Sequence, residues 1–193
     1  MTRIGVLALQ GDFAEHILML ERLEVTPVEV RLAKQLDGLN GLIIPGGEST
    51  TIGKLAVDFG LMGPLRDFGK SHAIWGTCAG AIFLSKDVHR HQPLLGIMDI
   101  TVERNAFGRQ VDSFEADLDI EPLKKTTRTS SPYHAIFIRA PIIQSVSGKA
   151  KIISTLPDGR IVAAQEGKLL ATSFHPELTE DLRFHEYFVS LAK

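Results

Sequence analysis

Short apolar runs alternate with stretches in which apolar positions recur every three or four residues, and this alternation predicts the first half of the chain. Ile4 to Leu9 is a continuous apolar run, the pattern of a strand buried on both faces of a parallel sheet. Gln10-Gly11-Asp12 turns the chain, and Asp12 with Glu15 reads as a capping box for a helix reaching about Leu23. Pro27 to Leu32 and Gly41 to Ile44 are the next two strands. Pro45-Gly46-Gly47 ends the third strand sharply. Ser49 or Thr50 is placed to cap the helix that follows, and Gly60 and Gly63 sit where helix ends are expected. Ala73 to Gly76 is a fourth strand, leading through Thr77-Cys78-Ala79-Gly80-Ala81 into another helix.

This β-α-β-α order implies an α/β fold, a mostly parallel sheet with helices on both faces. The second half is richer in strands: Ile97 to Glu103, Ser113 to Ile120, Ala135 to Arg139, Lys151 to Leu156, Ile161 to Gln165 and Leu169 to Phe174. Pro157-Asp158-Gly159 and Glu166-Gly167 are turn signals between the last three, so a small antiparallel strand extension is expected there. Glu121 to Tyr133, rich in Thr and Ser with two prolines, reads as a surface loop. A last helix is expected from Thr179, with Glu180 and Asp181 in its first turn.

A length of 193 residues suits one domain covering 1–193. Lys plus Arg is 21 and Asp plus Glu is 23, a formal net charge of -2 with no basic run, so nucleic acid and anionic membranes are not the expected partners. No apolar stretch approaches the roughly 20 residues of a membrane span, and the N-terminus lacks the pattern of a secretory signal. The one cysteine permits no intrachain disulfide and no cysteine-based metal cluster, which suggests a reducing cytoplasm.

The chemistry gathers around that cysteine. Gly76-Thr77-Cys78-Ala79-Gly80 joins a buried strand to a helix through small residues, the local pattern of a nucleophile elbow. A helix N-terminus favours the thiolate of a cysteine placed there, and the backbone N–H of Ala79 would face the oxyanion formed by attack on a carbonyl carbon. A thiol nucleophile needs a base, and the base needs an orienting acceptor. His175 and Glu177, two residues apart after the final strand in Phe174-His175-Pro176-Glu177, are the candidates, projecting to one side of an extended segment. The remaining histidines, His16, His72, His89, His91, His134 and His185, read as surface or hydrogen-bonded structural residues, and no metal site is expected. Pro45-Gly46-Gly47-Glu48-Ser49 leaves a strand at the same sheet edge, where open α/β sheets bind ligands. The N–H of Gly47 is a candidate second oxyanion donor.

Gly-Gly, Cys and His-x-Glu in this order resemble the class I (triad) glutamine amidotransferases, whose glutaminase domain has a flavodoxin-like α/β fold. The resemblance spans essentially the whole chain. It narrows to the glutaminase subunits of pyridoxal 5′-phosphate synthase through Gly5-Val6-Leu7-Ala8-Leu9-Gln10-Gly11, Pro45-Gly46-Gly47-Glu48-Ser49-Thr50-Thr51, Gly76-Thr77-Cys78-Ala79-Gly80, Val102-Glu103-Arg104-Asn105-Ala106-Phe107-Gly108-Arg109-Gln110, Phe137-Ile138-Arg139-Ala140-Pro141 and Ser173-Phe174-His175-Pro176-Glu177-Leu178-Thr179. The resemblance implies a triad of Cys78, His175 and Glu177. It also implies glutamine contacts at Gly47, Glu48 and Ser49, at Arg104, and at Ile138 with Arg139. The charges fit, since free glutamine carries an α-carboxylate that suits a guanidinium and an α-ammonium that suits a carboxylate such as Glu48. Which arginine makes the contact stays open at this point.

The implied activity is hydrolysis of L-glutamine through a glutamyl thioester, with no metal or organic cofactor. The implied partner is a synthase subunit that accepts the ammonia within a hetero-oligomeric complex. The alternatives are a glutaminase serving a different synthase and a cysteine hydrolase of the same fold class.

Overall fold

The computed structural model describes residues 2–104, 113–127 and 129–193. In the first half, β1 (Arg3–Leu7), α1 (Phe13–Arg22), β2 (Thr26–Val30), β3 (Gly41–Ile44), α2 (Ser49–Asp58), α3 (Met62–Gly69), β4 (Ala73–Thr77) and α4 (Ala79–Leu84) follow the alternation read from the sequence. After them come β5 (Ser85–Asp87), β6 (Met98–Glu103), β7 (Ser113–Leu118), α5 (Glu121–Thr127), β8 (Tyr133–Ile138) and β9 (Ile142–Val146). The chain ends with β10 (Lys151–Thr155), β11 (Ile161–Glu166), β12 (Leu169–Thr172) and α6 (Arg183–Ala192).

The main sheet runs β2-β1-β3-β4-β12-β11-β9-β6-β5, with β10 beside β11, and β7 and β8 form a separate antiparallel pair. From β2 to β12 every pairing is parallel. The β10-β11-β12 meander is antiparallel, as its turn signals required, and the β11–β9 and β9–β6 pairings, which the sequence did not signal, are antiparallel as well. Every residue of β3, β4 and β12 is buried, so these strands sit in the middle of the sandwich.

Alternation along the strands sorts side chains to two cores. Leu42, Ile44, Ile74 and Ala171 face α2, α3 and α4, whereas Ile43, Trp75 and Leu170 face α1, α5, α6 and the β7–β8 pair. This doubly covered sheet positions the site, because β1, β3, β4 and β12 all end at one carboxyl edge.

Several local expectations are corrected. Asp12 stands at the N-cap of α1 but makes no side-chain cap bond, so the capping box with Glu15 does not form. Neither Ser49 nor Thr50 caps α2; Glu48 does, its carboxylate accepting from the N–H groups of Thr50 and Thr51. The segment read as a loop from Glu121 to Tyr133 begins with helix α5, whose Leu123 is buried in the second core. Pro122 suits a first helical turn, which has no N–H partner to lose. The last helix starts at Arg183 rather than Thr179. Asp181 lies ahead of it and pairs with Arg183 at 2.6 Å, and Thr179 accepts at its hydroxyl from the N–H of Asp181 at 3.2 Å. Strands β5 and β9 had no clear signature, one being a three-residue segment and the other mixing Gln and Ser into its apolar positions. In the motif around Arg104, residues Asn105 to Gln110 lie outside the described residues.

Candidate active site

Cys78 occupies the turn between β4 and α4 with φ 47 and ψ -104. A side chain in that region costs on the order of 1–3 kcal/mol and persists only where its surroundings over-determine it. Here they do. The N–H of Cys78 donates to Thr172 O at 2.8 Å. The flanking glycines leave no alternative, since a Cβ on Gly76 would lie 2.4 Å from Gly80 C, and one on Gly80 would lie 2.0 Å from Ile44 O. The small residues of the motif are therefore a packing requirement of the strained turn as well as a feature of its chemistry.

His175 follows β12, anchored by its N–H donating to Ile136 O at 2.8 Å. It starts a 3₁₀ turn, Pro176–Leu178, so the expected extended geometry is corrected. The turn still folds Glu177 back, and Nδ1 of His175 lies 2.7 Å from Glu177 Oε1 with both side chains buried. That leaves Nε2 for the Cys78 side. Burial disfavours the His175 imidazolium, but hydrogen bonding to the Cys78 sulfur and the Glu177 carboxylate outweighs it and raises the pKa to about 10. A cation beside a cysteine sulfur is what a reactive thiolate needs. Burial pushes Glu177 above the ordinary carboxylate range, with the His175 hydrogen bond pulling the other way.

Two glycine loops close around this pair. A Cβ on Gly46 would lie 2.6 Å from His175 Cε1, and one on Gly11, at φ +104, would lie 1.8 Å from Gly46 O. The N–H of Asp12 donates to Gly46 O at 3.1 Å, and Gln10 Oε1 accepts from the N–H of Glu48 at 2.7 Å, tying the loop after β1 to the loop after β3.

A cavity of about 460 Å³ opens here, lined by Gly47, Glu48, Ser49, Cys78, Ala79, Arg104, Ile138, Arg139 and His175 among others. All the site residues singled out in the sequence line it except Glu177, which lies behind His175. The charged residues differ in how they are held. The Arg104 guanidinium donates to Glu48 Oε1 at 3.0 Å and to Thr50 Oγ1 and Gln92 Oε1, each at 3.1 Å. Among the described residues, no hydrogen bond or ion pair holds the Arg139 side chain, and its backbone sits at φ 42. Glu48, expected to meet an ammonium, already accepts from the first turn of α2 and from Arg104. Burial pushes its carboxyl up, but the Thr51 and Thr50 hydrogen bonds prevail and hold it at about 2.

The sequence reading missed four contributors. Asp12 was taken as a cap, yet its Oδ2 lies 3.6 Å from His175 Nδ1 and the residue lines the cavity. Gln10 was read as part of a turn and of the first motif, with no role in the site. His16 and His185 are fully buried, with His16 Nε2 3.4 Å from Glu177 Oε2; lone histidines in amphipathic helices carry no sequence signal of this kind. Asp12, His175 and Glu177 are the group among the described residues whose ligand atoms gather within 4.8 Å, a closeness the His175–Glu177 hydrogen bond accounts for. Of the other histidines, His134 is an exposed partner of Glu115 and Asp117. His89 pairs with Asp87 at 3.3 Å, also on the surface. Among the described residues, no helix is long and apolar enough to cross a membrane.

Comparison with known proteins bears on this geometry over nearly the full length. The model of the SNO glutamine amidotransferase family matches residues 6–193. The chain is 55% identical over 193 residues to the pyridoxal 5′-phosphate synthase subunit PdxT of Herpetosiphon aurantiacus, covering 97% of this chain and 99% of that one. It is 54% identical over 191 residues to the protein of the same name from Moorella thermoacetica, covering 98% of each. A crystal structure of a glutamine amidotransferase superposes with a TM-score of 0.91 at 49% identity, covering 98% of both chains.

Proposed function

This chain belongs to the SNO glutamine amidotransferase family, and from that premise we propose that it hydrolyses L-glutamine to L-glutamate and ammonia with Cys78, His175 and Glu177 as its triad. It is the glutaminase subunit of a pyridoxal 5′-phosphate synthase; its relatives at 54–55% identity are named pyridoxal 5′-phosphate synthase subunits PdxT. The observation that carries the site assignment is the strained Cys78 turn at a cavity that also holds the His175–Glu177 pair.

The Cys78 thiolate adds to the side-chain amide carbon of glutamine, and the electron pair of the C=O bond moves onto oxygen. The N–H groups of Gly47 and Ala79 hold that oxyanion. The C–N bond then breaks, the nitrogen takes its proton from the His175 imidazolium, and ammonia leaves a glutamyl thioester. Water, deprotonated by His175, attacks the thioester and frees glutamate and the thiolate. Glu177 keeps the imidazole aimed throughout. Arg104 and Arg139 bind the α-carboxylate of the substrate, with Glu48 and Ser49 at its α-ammonium end and the Ile138 backbone beside them. Glu48 and Arg104 compensate each other before the substrate arrives, whereas Arg139 brings a cation that no described residue pairs with. The ammonia passes to a synthase subunit docked in a hetero-oligomeric complex in the cytoplasm, where the lone thiol stays reduced.

The test is ammonia release from glutamine by the full chain with its synthase subunit present. Wild type releases ammonia and Cys78→Ala releases none while melting at an unchanged temperature. Normal turnover by Cys78→Ala ends the triad reading.

A further inference from the structure

The interior behind the triad holds more polar groups than the chemistry so far has used. His16 on α1 and His185 on α6 are both fully buried, with His16 Nδ1 2.9 Å from His185 Nε2. The other nitrogen of His16, Nε2, lies 3.3 Å from Thr77 Oγ1 and 3.4 Å from Glu177 Oε2. Glu177 Oε2 is buried and makes no hydrogen bond among the described residues, so the 3.4 Å approach of His16 Nε2 is a close contact at an unsatisfied oxygen. Edge contacts with the Trp75 ring, at 5.7 Å for His16 and 5.0 Å for His185, fix both imidazoles in plane and position.

The protonation pattern follows from these contacts. Burial holds His16 well below its usual range, helped by His185 and His175, and burial with Arg22 holds His185 at about 3. Both rings are therefore neutral, with one proton each. If His16 carried its proton on Nδ1, its Nε2 lone pair would face the Glu177 carboxylate, which is repulsive. With the proton on Nε2, Nδ1 accepts from the Nε2–H of His185, and the His16 Nε2–H is within hydrogen-bond reach of Thr77 Oγ1, with Glu177 Oε2 3.4 Å from the same nitrogen. The second arrangement leaves His185 Nδ1 as a bare acceptor and puts a donor beside the unsatisfied Glu177 Oε2.

We propose that His16 is a positioning residue of the triad: held in the Nε2–H tautomer by His185, it donates to the rear oxygen of Glu177 and keeps that carboxylate aimed at His175. The proposal rests on the glutaminase reading above. Glu177 bonds His175 through Oε1 only, so without a donor at Oε2 the carboxylate can rotate and accept a proton in its apolar surroundings. The groups packed around it are His16 of α1, Asp12 of the preceding loop, His175 itself and Tyr133 of β8, with His185 of α6 and Arg22 of α1 behind His16. Of these, His16 places a neutral ring nitrogen 3.4 Å from the rear oxygen.

A donor to the charged form lowers a carboxyl pKa, so losing it lets Glu177 protonate at higher pH. We would compare wild type with His16→Gln, His16→Asn and His16→Leu as full chains docked on the synthase subunit. Gln carries an N–H near the position of Nε2, whereas Asn reaches only to Nδ1 and Leu offers neither. Asn and Leu should lose about tenfold in kcat with KM little changed, and their acidic limb of kcat/KM should move up by about one pH unit. Gln should restore both. Alongside, nitrogen NMR of the histidine-labelled chain should find the His16 proton on Nε2. An unmoved acidic limb in Asn and Leu, a Gln variant as impaired as Leu, or a His16 proton on Nδ1 overturns the proposal. Should Leu fail to fold, the Asn–Gln difference carries the test. A wild type that releases no ammonia would defeat the glutaminase reading instead, while the tautomer still judges the contact.

Discussion

The cavity has a catalytic part and a charged part, and they are held by different physics. Cys78, Ala79, His175 and Glu177 are buried, and backbone fixes them: a positive φ at Cys78, glycines with no room for a methyl group, and main-chain bonds to Thr172 and Ile136. Glu48 and Arg139 are exposed and Arg104 is half-buried, and the order in this part comes from side chains satisfying one another. The difference matches the tasks. Bond making needs groups placed to a fraction of an ångström, whereas recognising a zwitterion needs charge of the right sign within reach of a mobile ligand. The catalytic part should fail abruptly when altered and the charged part by degrees.

The largest break is expected at the base. His175→Asn should lower kcat by roughly 10³-fold or more, and adding Cys78→Ala should make it hardly worse, because members of one catalytic unit are not additive. Glu177→Gln should lose less, since it leaves the base in place while weakening its orientation. Ammonia release by each variant in the complex measures this, and full activity in Glu177→Ala would remove the orienting role.

Next in size is the backbone frame. Gly80→Ala puts a methyl group 2.0 Å from Ile44 O, a main-chain atom that cannot swing aside. Overpacking of this kind costs about 1–3 kcal/mol and can exceed that, and the Cys78 turn should lose its geometry with it. Gly63→Ala is the matched control: the position is helical and meets nothing within 4 Å, so the change should stabilise by about 0.4–1 kcal/mol. Urea melts of the two variants sharpen the contrast, and equal midpoints would mean that the elbow is not tightly packed.

The same contrast explains what the sequence disclosed. The elbow, the Gly-Gly turn and the His-x-Glu pair were legible because tight backbone demands particular residue types at fixed spacing. The central strands were legible because burial on both faces leaves unbroken apolar runs such as Leu42-Ile43-Ile44. Asp12 and Glu48 exchanged roles between reading and structure because an acid before a helix can cap it or turn into the cavity, and local sequence does not distinguish the two. His16 and His185 were invisible for a further reason. Their meaning lies in a contact between residues 169 positions apart, which only the packing of α1 against α6 across β4 creates. Helix α5 was hidden by a composition of Pro and Thr that suits loops, with Leu123 giving the tertiary contact that propensity did not foresee.

The smallest effect expected is at Glu48, and its pH dependence distinguishes an N-cap from a purely substrate-binding carboxylate. Glu48→Ala removes the acceptor for the first-turn N–H groups of α2, a loss of about 1 kcal/mol for an N-cap, or roughly 2–4 °C in Tm for a chain of this size. The carboxyl is held at about 2 in the fold against 4.5 for an unperturbed glutamate. A folded-state pKa below the unfolded one gives stability that is present above the unfolded value and lost as pH falls through the folded value. The Tm gap between wild type and Glu48→Ala should therefore hold from neutral pH down to about 4.5 and shrink as pH falls towards 2. Thermal melts of the free chain across that range measure it without any substrate. A carboxylate kept only for the ammonium of glutamine would show no such gap, and Glu48→Ala would then melt with wild type at every pH while KM alone rose.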